Sequence, residues 1–175
     1  MMEQAGARIH VAEGETHIEA DARVVLTTIL GSCVAACIFD PNSGTGGMNH
    51  FLLAGEGGHR AGAAERYGAY LMEVLVNGVL ARGARREALR AKLFGGARIG
   101  AGRAEIGAGN AEFAKRFLAM ENIPLIGGSL GGDAARRIEF WPHSGRARQI
   151  YLMDRLEPPL PPAPVLADLG DVEFF

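Results

Sequence analysis

The residues with the clearest chemical potential are a cysteine and a histidine. Cys33 follows an apolar run and a Gly-Ser dipeptide, and His50 ends a neighbouring apolar run. A glycine turn lets the backbone approach a substrate closely, and N–H groups at such a turn can form an oxyanion hole. A cysteine needs a base or a positive field to become a thiolate near neutral pH. The pair therefore predicts nucleophilic catalysis, with Cys33 as nucleophile and His50 as its base.

Spacing alone leaves this pairing open. A turn near residues 40–46 would place His50 opposite roughly residue 36 of a hairpin, about 10 Å along the strand from Cys33. Contact then requires the Gly-Ser-Cys segment to curl back, or the two residues to meet across non-neighbouring strands. A cysteine inside an apolar run is usually a small buried hydrophobe. We apply that interpretation to Cys37.

Composition argues against several other classes of protein. The chain has 175 residues, 48% of them hydrophobic, which is enough for one globular domain. Its net charge of −2 provides no basic surplus for nucleic acid or an anionic membrane. No apolar run approaches the roughly 18 residues of a membrane span, and the first residues do not resemble a signal peptide. We expect a cytoplasmic protein with no nucleic-acid partner and no membrane insertion.

The two cysteines are too few for a secreted disulfide framework. The five histidines show no metal-type spacing among themselves. We therefore expect reduced thiols and no metal site, and the question is whether either thiol is reactive.

Strands dominate the elements that must position these residues. Apolar and β-branched runs predict strands at 24–30, 34–39 and 46–53, with others near 9–12, 89–94 and 123–126. Alternation around a turn predicts a hairpin over 136–141 and 148–153. Few strand–helix–strand units recur, so a layered α/β sandwich fits better than a doubly wound parallel sheet.

Two helices are predicted between the strands. One apolar stripe at helical spacing consists of Tyr67, Tyr70, Leu71, Val74, Leu75 and Val79. Gly83 can end that helix. Asn110 is a good N-cap for a second helix over 111–120, after a glycine-rich loop at 100–109.

The end of the chain differs from the rest. Proline-rich residues 157–164 exclude helix and ladder donors, which indicates an extended linker. We expect one domain over 1–156, followed by a linker and an acidic-hydrophobic tail over 157–175. The proline-rich spacer before residues 165–175 suggests that they could serve as a tethered docking peptide. The alternatives are disorder without function, or Phe174 and Phe175 folding back onto an apolar groove.

The sequence around Cys33 and His50 resembles a known family. Residues 27–41 read Thr-Thr-Ile-Leu-Gly-Ser-Cys-Val-Ala-Ala-Cys-Ile-Phe-Asp-Pro, and 46–53 read Gly-Gly-Met-Asn-His-Phe-Leu-Leu. The family pattern is Leu-Gly-Ser-Cys-Val-Ala, an Asp-Pro turn, then Gly-x-Met-x-His. Further matches lie at 66–68, 91–97, 106–110 and 131–136. Over roughly residues 9–154 the chain is similar to the chemoreceptor glutamine deamidases called CheD.

The resemblance implies a fold and a catalytic site. The implied fold is a three-layer α/β/α sandwich, similar to the catalytic domain of cytotoxic necrotizing factor toxins. The implied Cys–His–Thr triad falls on Cys33, His50 and Thr27, with Thr27 orienting the imidazole through its carbonyl or its hydroxyl. Backbone N–H groups near Ser32 and Cys33 would hold the oxyanion.

The implied activity is deamidation of glutamine side chains on methyl-accepting chemotaxis receptors. It proceeds through a thioester and needs no metal and no cofactor. Some methylesterase activity on the same receptor sites is also implied. Many family members also bind CheC, a phosphatase of the phosphorylated response regulator CheY. Candidate partners of the tail are a response regulator, a CheC-type phosphatase or the receptor.

Two rival functions remain at this point. The first is a catalytically idle adaptor that regulates CheC or receptors by contact. The second is a cysteine hydrolase acting on small amides, which fits the chemistry equally well and is disfavoured only by the resemblance.

Overall fold

The computed structural model describes residues 6–53, 59–100, 104–152 and 172–175. Strands β1 to β5 precede the first helix, and they are Arg8–His10, Thr16–Glu19, Val25–Leu30, Val34–Asp40 and Thr45–Asn49. Helix α1, a short 3-10 helix, strand β6 and helix α2 follow, at His59–Ala81, Arg86–Ala88, Arg90–Gly95 and Ala104–Met120. Strands β7 to β10 are Leu125–Leu130, Arg136–Trp141, Arg146–Tyr151 and Val172–Phe174.

The strands form two five-stranded mixed sheets. The inner sheet has the order β2-β5-β4-β6-β7, and the outer sheet has the order β1-β3-β8-β9-β10. Most neighbours are antiparallel, whereas β1 pairs with β3 and β6 pairs with β7 in parallel. The predicted hairpin of β8 and β9 is confirmed by their antiparallel register.

The inner sheet lies between the helices and the outer sheet. All seven residues of β4 are buried. Val34, Ala36 and Ile38 pack with residues of both helices, whereas alternate residues Ala35 and Cys37 pack with the outer sheet. A strand buried on both faces reads as a continuous apolar run rather than an alternating one.

The mixed α/β class is confirmed, but the layer order differs from the expected α/β/α sandwich. Within the described residues, both helices cover one face of the inner sheet, and the outer sheet covers the other. The outward face of the outer sheet carries exposed charged residues such as Arg137 and Arg146, and no described helix packs on it. The likeness to the toxin domain stays a prediction.

Helix α1 begins earlier than predicted and ends where predicted. Gly83 has φ 103°, a conformation that favours glycine. Its N–H donates to Leu80, and the next N–H donates to Val79, which closes the helix. The predicted apolar stripe divides in two. Leu71, Leu75 and Val79 are buried, whereas Tyr67, Tyr70 and Val74 are exposed.

The N-cap predicted at Asn110 is wrong. Helix α2 begins at Ala104, so Asn110 lies inside the helix. Its side chain is buried and bonds to other parts of the chain. An asparagine with such partners has no need to cap a helix end.

The last residues of the chain pack against the domain. β10 extends the outer sheet beyond β9, and the Phe175 ring lies edge-on to Phe94, 5.5 Å between centroids. The buried Lys92 ammonium donates to the carbonyls of Gly145 and Phe175, both at 2.7 Å. Phe175 thus folds back against the core, as one of the sequence alternatives predicted, whereas Phe174 is 60% exposed.

Residues 153–171, with the proline-rich segment, lie outside the described residues. A linker starting at 157, and a docking role for 165–175, stay predictions. No helix in the described part of the chain is long and apolar enough to span a membrane.

Candidate active site

Cys33 lies in the turn that joins β3 of the outer sheet to β4 of the inner sheet. Its side chain is half-buried. The carbonyls of this turn all accept hydrogen bonds: Gly31 from the Ala97 N–H at 2.9 Å, Ser32 from the Asn110 amide at 2.8 Å, and Cys33 from the Gly96 N–H at 2.8 Å. The turn therefore has a fixed backbone with an accessible thiol.

His50 comes directly after β5 and is buried. Because Cys37 pairs with Met48 and Val34 bridges Phe51, the residue opposite His50 is 35, one position from the predicted 36. Cys33 lies two residues before this position, in the turn ahead of β4, and it packs against the buried cluster between the two sheets. His50 contacts Thr28 and Val11 in the same region. Both side chains thus belong to the region between the two sheets.

The imidazole is held through one ring nitrogen. His50 Nδ1 lies 2.8 Å from Thr28 Oγ1 and 3.3 Å from the Val11 carbonyl oxygen. The Thr28 hydroxyl itself donates to that carbonyl at 2.7 Å. Because the hydroxyl proton is engaged and a carbonyl only accepts, Nδ1 must carry the ring proton. Nε2 then has a free lone pair.

Nε2 of His50 is buried and has no hydrogen-bond partner among the described residues. An unpartnered buried nitrogen calls for an explanation, and catalytic use is one. A neutral imidazole whose other nitrogen is fixed by a neighbour has the geometry of a general base.

The structure brings Thr28, and not the Thr27 hydroxyl, to the imidazole. The Thr27 carbonyl accepts the Val11 N–H at 2.9 Å. Successive side chains of a strand point to opposite faces, so these two threonines cannot both face His50. Thr28 shares its face with Leu26 and Leu30, which are fully buried, and that alternation is a sequence signal for Thr28.

Glu13 is a neighbour of the thiol that sequence reasoning missed. The Cys33 thiol donates to Glu13 Oε2, with 3.9 Å between sulfur and oxygen. Glu13 lies in the turn between β1 and β2, where the Gly14 N–H donates to the His50 carbonyl at 2.7 Å. The described structure therefore shows the thiol directed at a carboxylate, with no hydrogen bond to the imidazole.

Burial governs the protonation of both groups. Burial, and then the charge of Glu13, raise the pKa of the Cys33 thiol to about 11. Burial lowers the pKa of His50 below 6.5, with a smaller contribution from His10, while the Val11 carbonyl and Glu13 oppose it. At neutral pH the site therefore holds a protonated thiol and a neutral imidazole. Complete burial also raises the pKa of Cys37.

Asn110 connects helix α2 to both sides of the site. Its Oδ1 accepts the Leu53 N–H at 2.9 Å, and its Nδ2 donates to the Ser32 carbonyl at 2.8 Å. One side chain thus fixes the turn that carries Cys33 and the segment that follows His50. Sequence reasoning missed this role because it placed Asn110 at a helix start.

The backbone amides near the thiol are the candidate oxyanion-binding groups. In the described part of the chain, the N–H groups of Ser32 and Cys33 donate to no acceptor on another residue. Their role as an oxyanion hole stays a prediction. The described residues contain no group of three or more His, Cys, Asp or Glu side chains that could hold a metal ion.

A half-buried thiol, a neutral imidazole with a free nitrogen and two amides without an acceptor on another described residue define a candidate thiol-dependent acyl-transfer site on a mixed α/β domain. The family model described as CheD chemotactic sensory transduction matches residues 52–149. The chain belongs to the CheD family.

Relatives match over nearly the full length. A probable chemoreceptor glutamine deamidase CheD of Caulobacter vibrioides is 55% identical, over 98% of this chain and 95% of its own. One of Agrobacterium fabrum is 52% identical over 100% of both chains, and one of Acidiphilium cryptum is 53% identical over 96% and 93%.

Solved structures match less well. Neisseria meningitidis protein NMB0706 aligns with a TM-score of 0.44 and 13% identity, over 73% of this chain and 64% of its own. Bacillus licheniformis hypothetical protein YfiH aligns with a TM-score of 0.41 and 15% identity, over 65% and 49%. Likenesses at this level support no conclusion about function.

Proposed function

We propose that this protein is a chemoreceptor glutamine deamidase, which converts glutamine side chains of methyl-accepting chemotaxis receptors to glutamate. Relatives that carry this name match the chain over nearly its whole length. The observation that carries the chemical part is His50, whose Nδ1 lies 2.8 Å from the Thr28 hydroxyl and whose buried Nε2 has no partner among the described residues.

The first half of the reaction forms a thioester. Rotation of the Cys33 side chain from Glu13 towards His50 lets Nε2 accept the thiol proton. The sulfur attacks the glutamine carboxamide carbon, and the N–H groups of Ser32 and Cys33 stabilise the oxyanion. The imidazolium returns the proton to the nitrogen, the C–N bond breaks, and ammonia leaves.

The second half regenerates the enzyme. His50 Nε2 accepts a proton from water, and the hydroxide attacks the thioester carbon. The C–S bond breaks, the sulfur recovers a proton from the imidazolium, and the side chain leaves as a carboxylic acid that releases its proton to solvent to give glutamate. Thr28 keeps Nδ1 protonated throughout, so the same nitrogen serves as base in both halves.

The raised pKa of Cys33 fits this sequence of steps. A thiol with pKa about 11 is almost entirely protonated at neutral pH. Attack therefore requires a base that takes the thiol proton, and this is the role proposed for His50.

The setting of the reaction follows from its substrate. Receptors are the partners that the activity requires, and we place the reaction in the cytoplasm, where free thiols such as Cys33 and Cys37 persist. Association with a CheC-type phosphatase or a response regulator rests on the resemblance alone and is a prediction. Methylesterase activity at the same receptor sites is a prediction of the same kind.

The test is mass spectrometry of a purified receptor cytoplasmic fragment after incubation with the protein. Wild type should convert specific glutamines to glutamate, and Cys33→Ala should convert none. Cys37→Ala is the matched control, because it removes a buried thiol of the neighbouring strand and should keep the activity. Binding of the fragment without conversion by wild type would favour the non-catalytic adaptor instead.

A further inference from the structure

The turn that carries Glu13 is held in place from both sides. The Val11 N–H donates to the Thr27 carbonyl, the Gly14 N–H donates to the His50 carbonyl, and the His50 N–H donates to the Glu15 carbonyl at 3.1 Å. The Glu15 carboxylate accepts the Ala12 N–H at 2.9 Å. Glu13 is therefore presented at the thiol by a turn that is built into the site, with an exposed side chain.

A carboxylate at this position is unfavourable for the nucleophile itself. It holds the thiol proton and opposes formation of a thiolate by its charge. The charge of Glu13 also acts on His50, where it raises the pKa of the imidazole against the effect of burial. The presence of a carboxylate that opposes thiolate formation is explained if this carboxylate acts on the substrate.

The substrate and product of deamidation differ most at one atom. The carboxamide has an NH₂ group with two donors, and the product carboxylate has an acceptor oxygen with negative charge in its place. A carboxylate side chain attracts the first and repels the second. A methyl ester at the same position has no donor to offer.

We propose that Glu13 forms the amide-nitrogen subsite of this active site, accepting an N–H of the substrate carboxamide and disfavouring the carboxylate product. The inference rests on the proposed function. When the sulfur turns towards His50, the thiol releases Oε2, and the carboxamide nitrogen takes the place of the S–H donor. The subsite orients the leaving nitrogen on the side opposite the oxyanion N–H groups, and it promotes release of the glutamate product.

The experiment measures binding without turnover. In a Cys33→Ala background, calorimetry gives the Kd of a receptor cytoplasmic fragment with glutamine at the converted site, and the Kd of the same fragment with glutamate there. Removing the sulfur also removes any effect of Glu13 on thiol acidity. The variant is Glu13→Gln, which keeps the shape of the side chain and removes its charge.

The control is Glu87→Gln. Glu87 is exposed and pairs with Arg85, whose N–H is bonded to Asp40 at the far end of β4. That end lies about 20 Å from Cys33 along the strand. The control removes an equal charge at a distance.

We expect the Cys33→Ala protein to bind the glutamine form at least tenfold more tightly than the glutamate form. Glu13→Gln should bring the two Kd values within about threefold of each other, and Glu87→Gln should leave the preference intact. A preference that survives Glu13→Gln, or no preference in the parent, would overturn the subsite. Glutamine conversion by the wild-type protein, measured in parallel, shows whether the deamidase proposal itself stands.

Discussion

Replacement of Thr28 by valine tests how the base is positioned. Valine matches threonine in shape, so the change removes one hydroxyl without opening a cavity. The lost contacts are the 2.8 Å bond to His50 Nδ1 and the 2.7 Å bond to the Val11 carbonyl. The imidazole can still donate to that carbonyl, which lies 3.3 Å away.

The expected magnitude follows from these contacts. A buried hydrogen bond between neutral groups contributes about 1 kcal/mol, and an unsatisfied buried partner costs about 1–3 kcal/mol. Because the Val11 carbonyl rescues Nδ1, we expect a loss of about 1–2 kcal/mol in the free energy of unfolding. We also expect the less firmly held imidazole to stabilise the transition state less well, by about 1.4–2.8 kcal/mol. This loss corresponds to a fall in kcat of roughly 10- to 100-fold.

The assay is the initial rate of ammonia release from a receptor cytoplasmic fragment, with kcat and KM separated. Thr28→Val should lower kcat with little change in KM, and Thr28→Ser should recover most of the rate because it keeps the hydroxyl. Thr27→Val is the matched control, since its hydroxyl lies on the opposite face of β3. A wild-type kcat for Thr28→Val, or an equal fall for Thr27→Val, would refute the assignment of the positioning contact.

Three further predictions concern stability and pH. The free energy of unfolding should fall as pH rises above 9, because burial raises the pKa of Cys37 and only the unfolded thiol then ionises. Denaturation measured as a function of pH should show a weaker fall for Cys37→Ala. Asn110→Ala should cost about 2–4 kcal/mol by urea unfolding and lower kcat, since it leaves the Ser32 carbonyl and a backbone N–H unpaired. Phe175→Ala should lower the free energy of unfolding by about 2 kcal/mol in thermal denaturation, whereas replacement of the exposed Phe174 by alanine should lower it by less than half as much.

The strands near the site were predictable because local pattern determines them. The runs that became β3 and β4 are apolar and β-branched, and their ends carry strong turn residues. The start of α2 was missed because glycines at 107 and 109 resemble a loop. Gly107 is needed inside the helix, since a Cβ there would meet the Gly96 carbonyl oxygen at 2.6 Å. That close approach is a tertiary requirement with no local signature.

In the candidate site, too, some residues were predictable from local sequence pattern and others depend on tertiary packing. Cys33 and His50 were recognisable from motif and residue type. Thr28 could have been inferred from its alternation with buried Leu26 and Leu30, whereas resemblance directed attention to Thr27. Glu13 could not be found from local pattern, because its contact with the thiol joins residues twenty positions apart through the packing of the β1–β2 turn.

The central claim is that Cys33 forms a thioester with the glutamine side chain, and hydroxylamine trapping tests it most directly. Hydroxylamine competes with water for a thioester, so a receptor fragment treated with wild-type protein should carry hydroxamate and glutamate at the same positions. The hydroxamate share should rise with hydroxylamine concentration, and Cys33→Ala should give neither product. Glutamate formation by Cys33→Ala at the wild-type rate, or glutamate without hydroxamate at any hydroxylamine concentration, would contradict the account.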